Sequence, residues 1–160
     1  MITVCDTGPI VAYLNRNDPY HDWATAVMKQ LRPPLLTCEA VLTEAVYFLR
    51  DDALDIDPLF LMLERAALLI DFDMSAHWPR MHTLMRRYPS MDLADASIVV
   101  ISDVHARSQV LTLDVNDFST YRRNDRRVIP FISPAARQAR ERRRRPATRR
   151  GQRRSRVRLR

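Results

Sequence analysis

A chain of 160 residues, 46% of them hydrophobic, is long enough to bury one core without disulfide or metal staples. Two glycines in the whole chain exclude a Gly-rich phosphate loop, and no run of about 18 apolar residues offers a membrane span. The net charge of +7 is unevenly spread: residues 137–160 hold 13 Arg and one acid, which leaves 13 basic and 18 acidic residues for 1–136, so the body carries −5 and the tail +12.

The body alternates strand and helix patterns. ITVCD (2–6) is a short buried strand that ends on Asp6. GPIVAYLN (8–15) is a short helix with Pro9 at a permissive early position. HDWATAVMKQLR (21–32) is an amphipathic helix with Trp23, Val27 and Leu31 on one stripe, stopped by Pro33-Pro34. LLTC (35–38) is a second strand, and Thr37 is placed to cap the helix EAVLTEAVYFLR (39–50). A further helix spans about 57–68, and LLIDF (68–72) reads as a strand. SAHWPRMHTLMRRY (75–88) is helical in composition, with Pro79 limiting where it begins. DLADASIVVISDVHAR (92–107) is a strong helix, and VLTLD (110–114) and VIPFI (128–132) are the last strands.

Strands separated by helices argue for a parallel sheet with helices on both faces. Ligands of such sheets bind at the carboxyl ends of the strands. The Arg-rich stretch has almost no apolar periodicity, so the chain divides into a domain over 1–134 and a disordered tail over 135–160. That tail is either a nucleic-acid-binding arm acting on phosphates or a solvated extension with no selected role. Cys5 and Cys38 sit in apolar strands and read as buried reduced thiols. The N-terminus has no basic segment and Asp6 interrupts its apolar run, so a cytoplasmic protein without a signal peptide is expected.

Several acids fall where propensity does not ask for them. Glu44 shares a helix face with Val41, Ala45 and Phe48, where it is either a stripe-edge residue reaching water or a desolvated carboxylate needing a positive partner. Asp92 and Asp95 share one side of a helix's first turn. A capping box accounts well for Asp92 and less well for Asp95, which lies between Ala94 and Ala96. Asp114 ends a strand, as Asp6 does, with Thr112 on the same strand face, while Asp117 is placed to cap a short turn. If Asp6, Glu44, Asp95 and Asp114 converge, their repulsion must be offset. No histidine or cysteine cluster joins them, which disfavours zinc, whereas ligation by carboxylates alone suits Mg²⁺ or Mn²⁺. A carboxylate-held divalent ion without a nucleotide loop points to metal-assisted phosphodiester hydrolysis. Two rivals stand beside that reading: a non-catalytic RNA- or protein-binding module, and a hydrolase of small phosphate esters.

The strand ending in Asp6-Thr7, the helix carrying Glu44, the DLADASIV helix and the LTLDVNDF strand-turn, in that order over about residues 2–132, resemble a PIN-domain ribonuclease. They are similar in particular to the VapC-type toxins of bacterial toxin–antitoxin pairs. The resemblance implies a three-layer α/β/α sandwich around a mainly parallel sheet. It implies Mg²⁺- or Mn²⁺-dependent cleavage of RNA, inhibition by a cognate antitoxin, and a homodimer. Carried over by position, Asp6 and Asp95 match the acids that hold the metal directly, and Glu44 and Asp114 the supporting ones. Thr112 matches a hydroxyl beside the fourth acid, and Asp92 and Asp117 are additional acids near the site.

Overall fold

The computed structural model describes residues 1–134. The Arg-rich stretch 135–160, with the disorder and RNA affinity expected of it, lies outside the described residues. In chain order the elements are β1 (Ile2–Cys5), α1 (Thr7–Leu14), α2 (His21–Met28), β2 (Leu35–Thr37), α3 (Glu39–Asp51), α4 (Asp57–Glu64), β3 (Leu68–Ile70), α5 (Met74–Arg87) and α6 (Leu93–Val104). They continue with β4 (Ser108–Leu111), α7 (Val115–Thr120), β5 (Arg122–Arg123), β6 (Arg127–Val128) and β7 (Phe131–Ile132).

Five strands pair in parallel in the order β3-β2-β1-β4-β7, and helices cover both faces, giving the expected three-layer α/β/α sandwich. β1 lies at the centre. From it the chain first builds outward through β2 and β3, then returns to the other side for β4 and β7. The direction of building therefore reverses between β1 and β4, where sheets of this kind open a crevice at the strands' carboxyl ends. Asp6 follows β1 directly and Thr112 follows β4 directly, so both stand at that reversal.

α6 explains why ASIVVIS has no polar face. It packs on α3, α5, β1 and β4 at once and buries Ile98, Val99, Val100 and Ile101 almost completely. Each such burial stabilises by about 1.5–3 kcal/mol. Cys5 and Cys38 are free and buried, as expected, and burial pushes both thiols above their ordinary range. Among the described residues no helix is long and apolar enough to cross a membrane.

The local differences from the sequence reading have physical causes. Thr37 caps no helix: its buried hydroxyl donates across the sheet to the Cys5 carbonyl at 3.2 Å, and Cys38 takes the cap position. α2 stops at Met28, ahead of Pro33-Pro34. α4 stops at Glu64 because Ala66 takes a positive φ of 52° and turns the chain so that Leu68 pairs with Leu35. α5 starts before Pro79 because Asp73 caps it at the Ser75 amide (2.8 Å), and buried Met81 and Leu84 hold it on the core. The expected strand 128–132 is split at Pro130. Its first part pairs with β5 in an antiparallel hairpin turned by Asn124 and Asp125, both with positive φ, and its second part pairs with β4.

Candidate active site

Asp6 is held at both oxygens. Its Oδ1 accepts the Thr7 amide at 2.7 Å and its Oδ2 accepts the Thr112 hydroxyl at 2.7 Å. Thr112 is fully buried and also accepts the Asp114 amide at 2.9 Å, so one hydroxyl ties the end of β1 to the turn after β4. The Thr7 hydroxyl donates to Glu44 Oε2 at 2.8 Å, which fixes α3 against the start of α1. Gly8 makes room for this arrangement, because a Cβ there would lie 3.0 Å from the Leu113 side chain.

The capping question at α6 is divided between two residues. Asp92 is the N-cap, and its Oδ1 accepts the Asp95 amide at 2.8 Å. The Asp95 carboxylate takes no part in that cap; its Oδ2 accepts the Tyr121 hydroxyl at 2.9 Å. At the start of α7, Asp114 is the cap and accepts the Asp117 amide at 3.0 Å, so the capping role expected of Asp117 belongs to Asp114.

The electrostatics show which acids share one field. Burial raises Asp6 to about 6, with the Glu44 and Asp92 carboxylates adding to the shift and the Thr112 and Thr7 bonds opposing it. Asp95 rises to about 7, again chiefly by burial, with Asp92, Asp6 and Asp117 adding to it. Glu44 is raised by burial and by Asp92, and Asp117 by burial and by Asp114. Burial and the Asp95 charge together push the Tyr121 phenol well above its usual range. Asp6, Glu44, Asp92, Asp95 and Asp117 thus act on one another, whereas Asp114 lies at the exposed rim and acts on Asp117. Among the described residues no basic side chain contributes to these shifts.

Oxygen donors that repel one another, with no basic partner among the described residues, fit a hard divalent ion. Among the described residues no three acids, histidines or cysteines are already drawn into a complete ligand cage; hydroxyls hold the carboxylates singly. Of the four histidines, His21 lies on the Ala12 carbonyl, His105 on Asp71 and His77 against Phe72, while His82 is exposed on α5.

Two residues of the site carry roles that sequence reasoning left unassigned. Thr7 had a signal, its place directly after the strand-ending Asp6. Tyr121 had none, since its partner Asp95 lies 26 residues away in sequence.

The chain matches the PIN domain family over residues 3–124, a span that holds Asp6, Glu44, Asp92, Asp95, Asp114 and Asp117. Comparison with curated proteins gives no match.

Proposed function

This chain belongs to the PIN-domain family, a nuclease fold whose members commonly use Mg²⁺ or Mn²⁺, and we propose that it is a metal-dependent endoribonuclease acting as the toxin of a toxin–antitoxin pair. One observation carries the reading: carboxylates from the end of β1, from α3, α6 and α7 share a single field at the sheet's point of reversal. An abandoned site has no reason to keep such repulsion, which weighs against a non-catalytic module.

In this reading Asp6 and Asp95 hold the ion directly, and Glu44 and Asp114 support it. Asp117 is the acid of α7 whose charge reaches Asp95. A divalent ion held there would supply an activated water and offset charge on the scissile phosphate. The chain's own groups set the geometry. Thr7 and Thr112 fix the Asp6 oxygens, Thr7 also aims Glu44, and Tyr121 steadies Asp95. In-line attack by water leaves 5′-phosphate and 3′-hydroxyl ends.

Incubation of the purified protein with structured RNA tests this. Mg²⁺ or Mn²⁺ should support cleavage and EDTA should abolish it, and undiminished cleavage in excess chelator would sink the mechanism. Exposed Tyr47 and Phe48 on α3, and Phe60 and Leu61 on α4, support cover by a second copy in a homodimer and by an antitoxin. The acidic site itself suits an inserted antitoxin Arg. Two buried free thiols suit a reducing cytoplasm.

A further inference from the structure

The last strand delivers the chain to the acidic site. β7 runs parallel to β4 with Ile132 level with Leu111, and the Ile132 carbonyl accepts the Thr112 amide at 3.1 Å. The Thr112 hydroxyl in turn donates to Asp6 at 2.7 Å. β7 therefore ends two strands away from the acid that follows β1, about 10 Å across the sheet. Pro134, two residues on, is buried, which keeps the point of departure on the body.

What departs there is the most basic stretch of the sequence. Residues 137–160 hold 13 arginines, no lysine and a single acid, Glu141. A run of four arginines, 142–145, begins eight residues beyond Pro134. Eight residues of chain span at most about 29 Å, and a coil of that length averages about 14–17 Å. Either covers the distance to Asp6. Across that gap the site offers Asp6, Glu44, Asp92, Asp95 and Asp117, and among the described residues no ion pair reaches any of them. Asp103 and Asp125, by contrast, are already matched by Arg80 and Arg87. A group tethered by so short a length has a local concentration on the order of millimolar, and a guanidinium pairs with a carboxylate through two parallel bonds.

We propose that the Arg-rich segment folds back onto the chain's own acidic site, where the four arginines of 142–145 pair with the carboxylates that a divalent ion would otherwise take. The inference rests on the metal-site reading above and adds a regulation of that site. Arginine and ion need the same oxygens, so each excludes the other. RNA phosphates compete for the same arginines, so substrate draws the segment off and frees the carboxylates for the ion. Pairs open to solvent are weak and screened by salt, which makes the block loose and reversible.

The test uses the full chain without RNA. Mn²⁺ binding is followed by electron paramagnetic resonance over a series of salt concentrations. Arg142→Gln/Arg143→Gln/Arg144→Gln/Arg145→Gln should tighten Mn²⁺ binding severalfold at low salt, and the difference from wild type should shrink as salt rises. Limited digestion with trypsin reads the reverse coupling, which linkage requires. In wild type, cleavage within 137–160 should quicken severalfold when Mn²⁺ saturates the site. In Asp6→Asn/Asp95→Asn it should be fast with or without the ion. Wild type and the arginine variant binding Mn²⁺ alike would overturn the proposal and leave the metal site standing. Tighter Mn²⁺ binding by the variant, with wild-type cleavage indifferent to the ion, would also overturn it, because the arginines would then act through their field and not from a seat on the acids. Wild type and variant that both fail to bind Mn²⁺ would overturn the metal-site reading and this inference with it.

Discussion

Asp95 holds a carboxylate in a place that costs stability. Burial and three neighbouring acids push it to about 7, against one hydroxyl bond from Tyr121 that favours the charged form. Asp95→Asn keeps an oxygen for that bond and removes the charge. In EDTA near neutral pH the variant is expected to gain about 1–2 kcal/mol by thermal unfolding, and in Mn²⁺ to gain less than wild type. Its RNA cleavage should fall at least about a hundredfold. An active, destabilised variant would reduce Asp95 to an ordinary first-turn residue. The same shifts fix a pH dependence. A carboxyl whose folded pKa lies above its unfolded value of about 3.9 binds more protons when folded across the interval between, so stability falls as pH rises through it. That interval runs up to about 6 for Asp6 and about 7 for Asp95. The metal-free protein should therefore be more stable near pH 5 than near pH 8, and Mn²⁺ should raise Tm more at the higher pH. A metal-free profile that rises with pH would mean the acids are not crowded.

At the scale of the element, α7 divides its two acids between structure and charge. Asp114 caps the helix and Asp117, one turn in, reaches Asp95. Asn caps nearly as well as Asp, so Asp114→Asn keeps the helix start and removes only the charge at the rim. Asp117→Asn removes the charge within the field. Both variants should keep or raise Tm, and Asp117→Asn should lose more cleavage in a side-by-side assay. The reverse ranking would make Asp114 the dominant acid of the two. The sequence placed both acids in one turn, but which is cap and which is site depends on helix phase. That phase is set by Phe118 and Tyr121 packing into the core, with ring centres 5.4 Å apart.

For the whole molecule, the described residues contain the complete five-stranded sheet and the core around α6. Residues 135–160, Arg-rich and almost without apolar periodicity, have little to add to a core. In saturating Mn²⁺, deleting them should leave Tm and the unfolding cooperativity unchanged while RNA affinity drops and its salt dependence becomes shallower. A shortened chain that fails to fold would move the domain boundary. A shortened chain that folds and binds RNA with the same salt slope would make the tail a bystander.

Periodicity and punctuation were enough for the alternation of strands and helices, and so for the layered fold, because a 3.6-residue stripe and a two-faced buried strand are local patterns. The acids were legible one by one for the same reason: Asp6 ends an apolar strand, and Glu44 interrupts an apolar stripe. Their meeting was not legible. It follows from the strand order, which sets the ends of β1 and β4 side by side, and from three hydroxyls whose partners lie 26, 37 and 106 residues away. The hairpin was invisible for a related reason. YRRNDRRV reads as a charged loop until Arg123 turns inward to Ser102 and Ser108, an arrangement whose donors and acceptors only the packed α6 and β4 bring together.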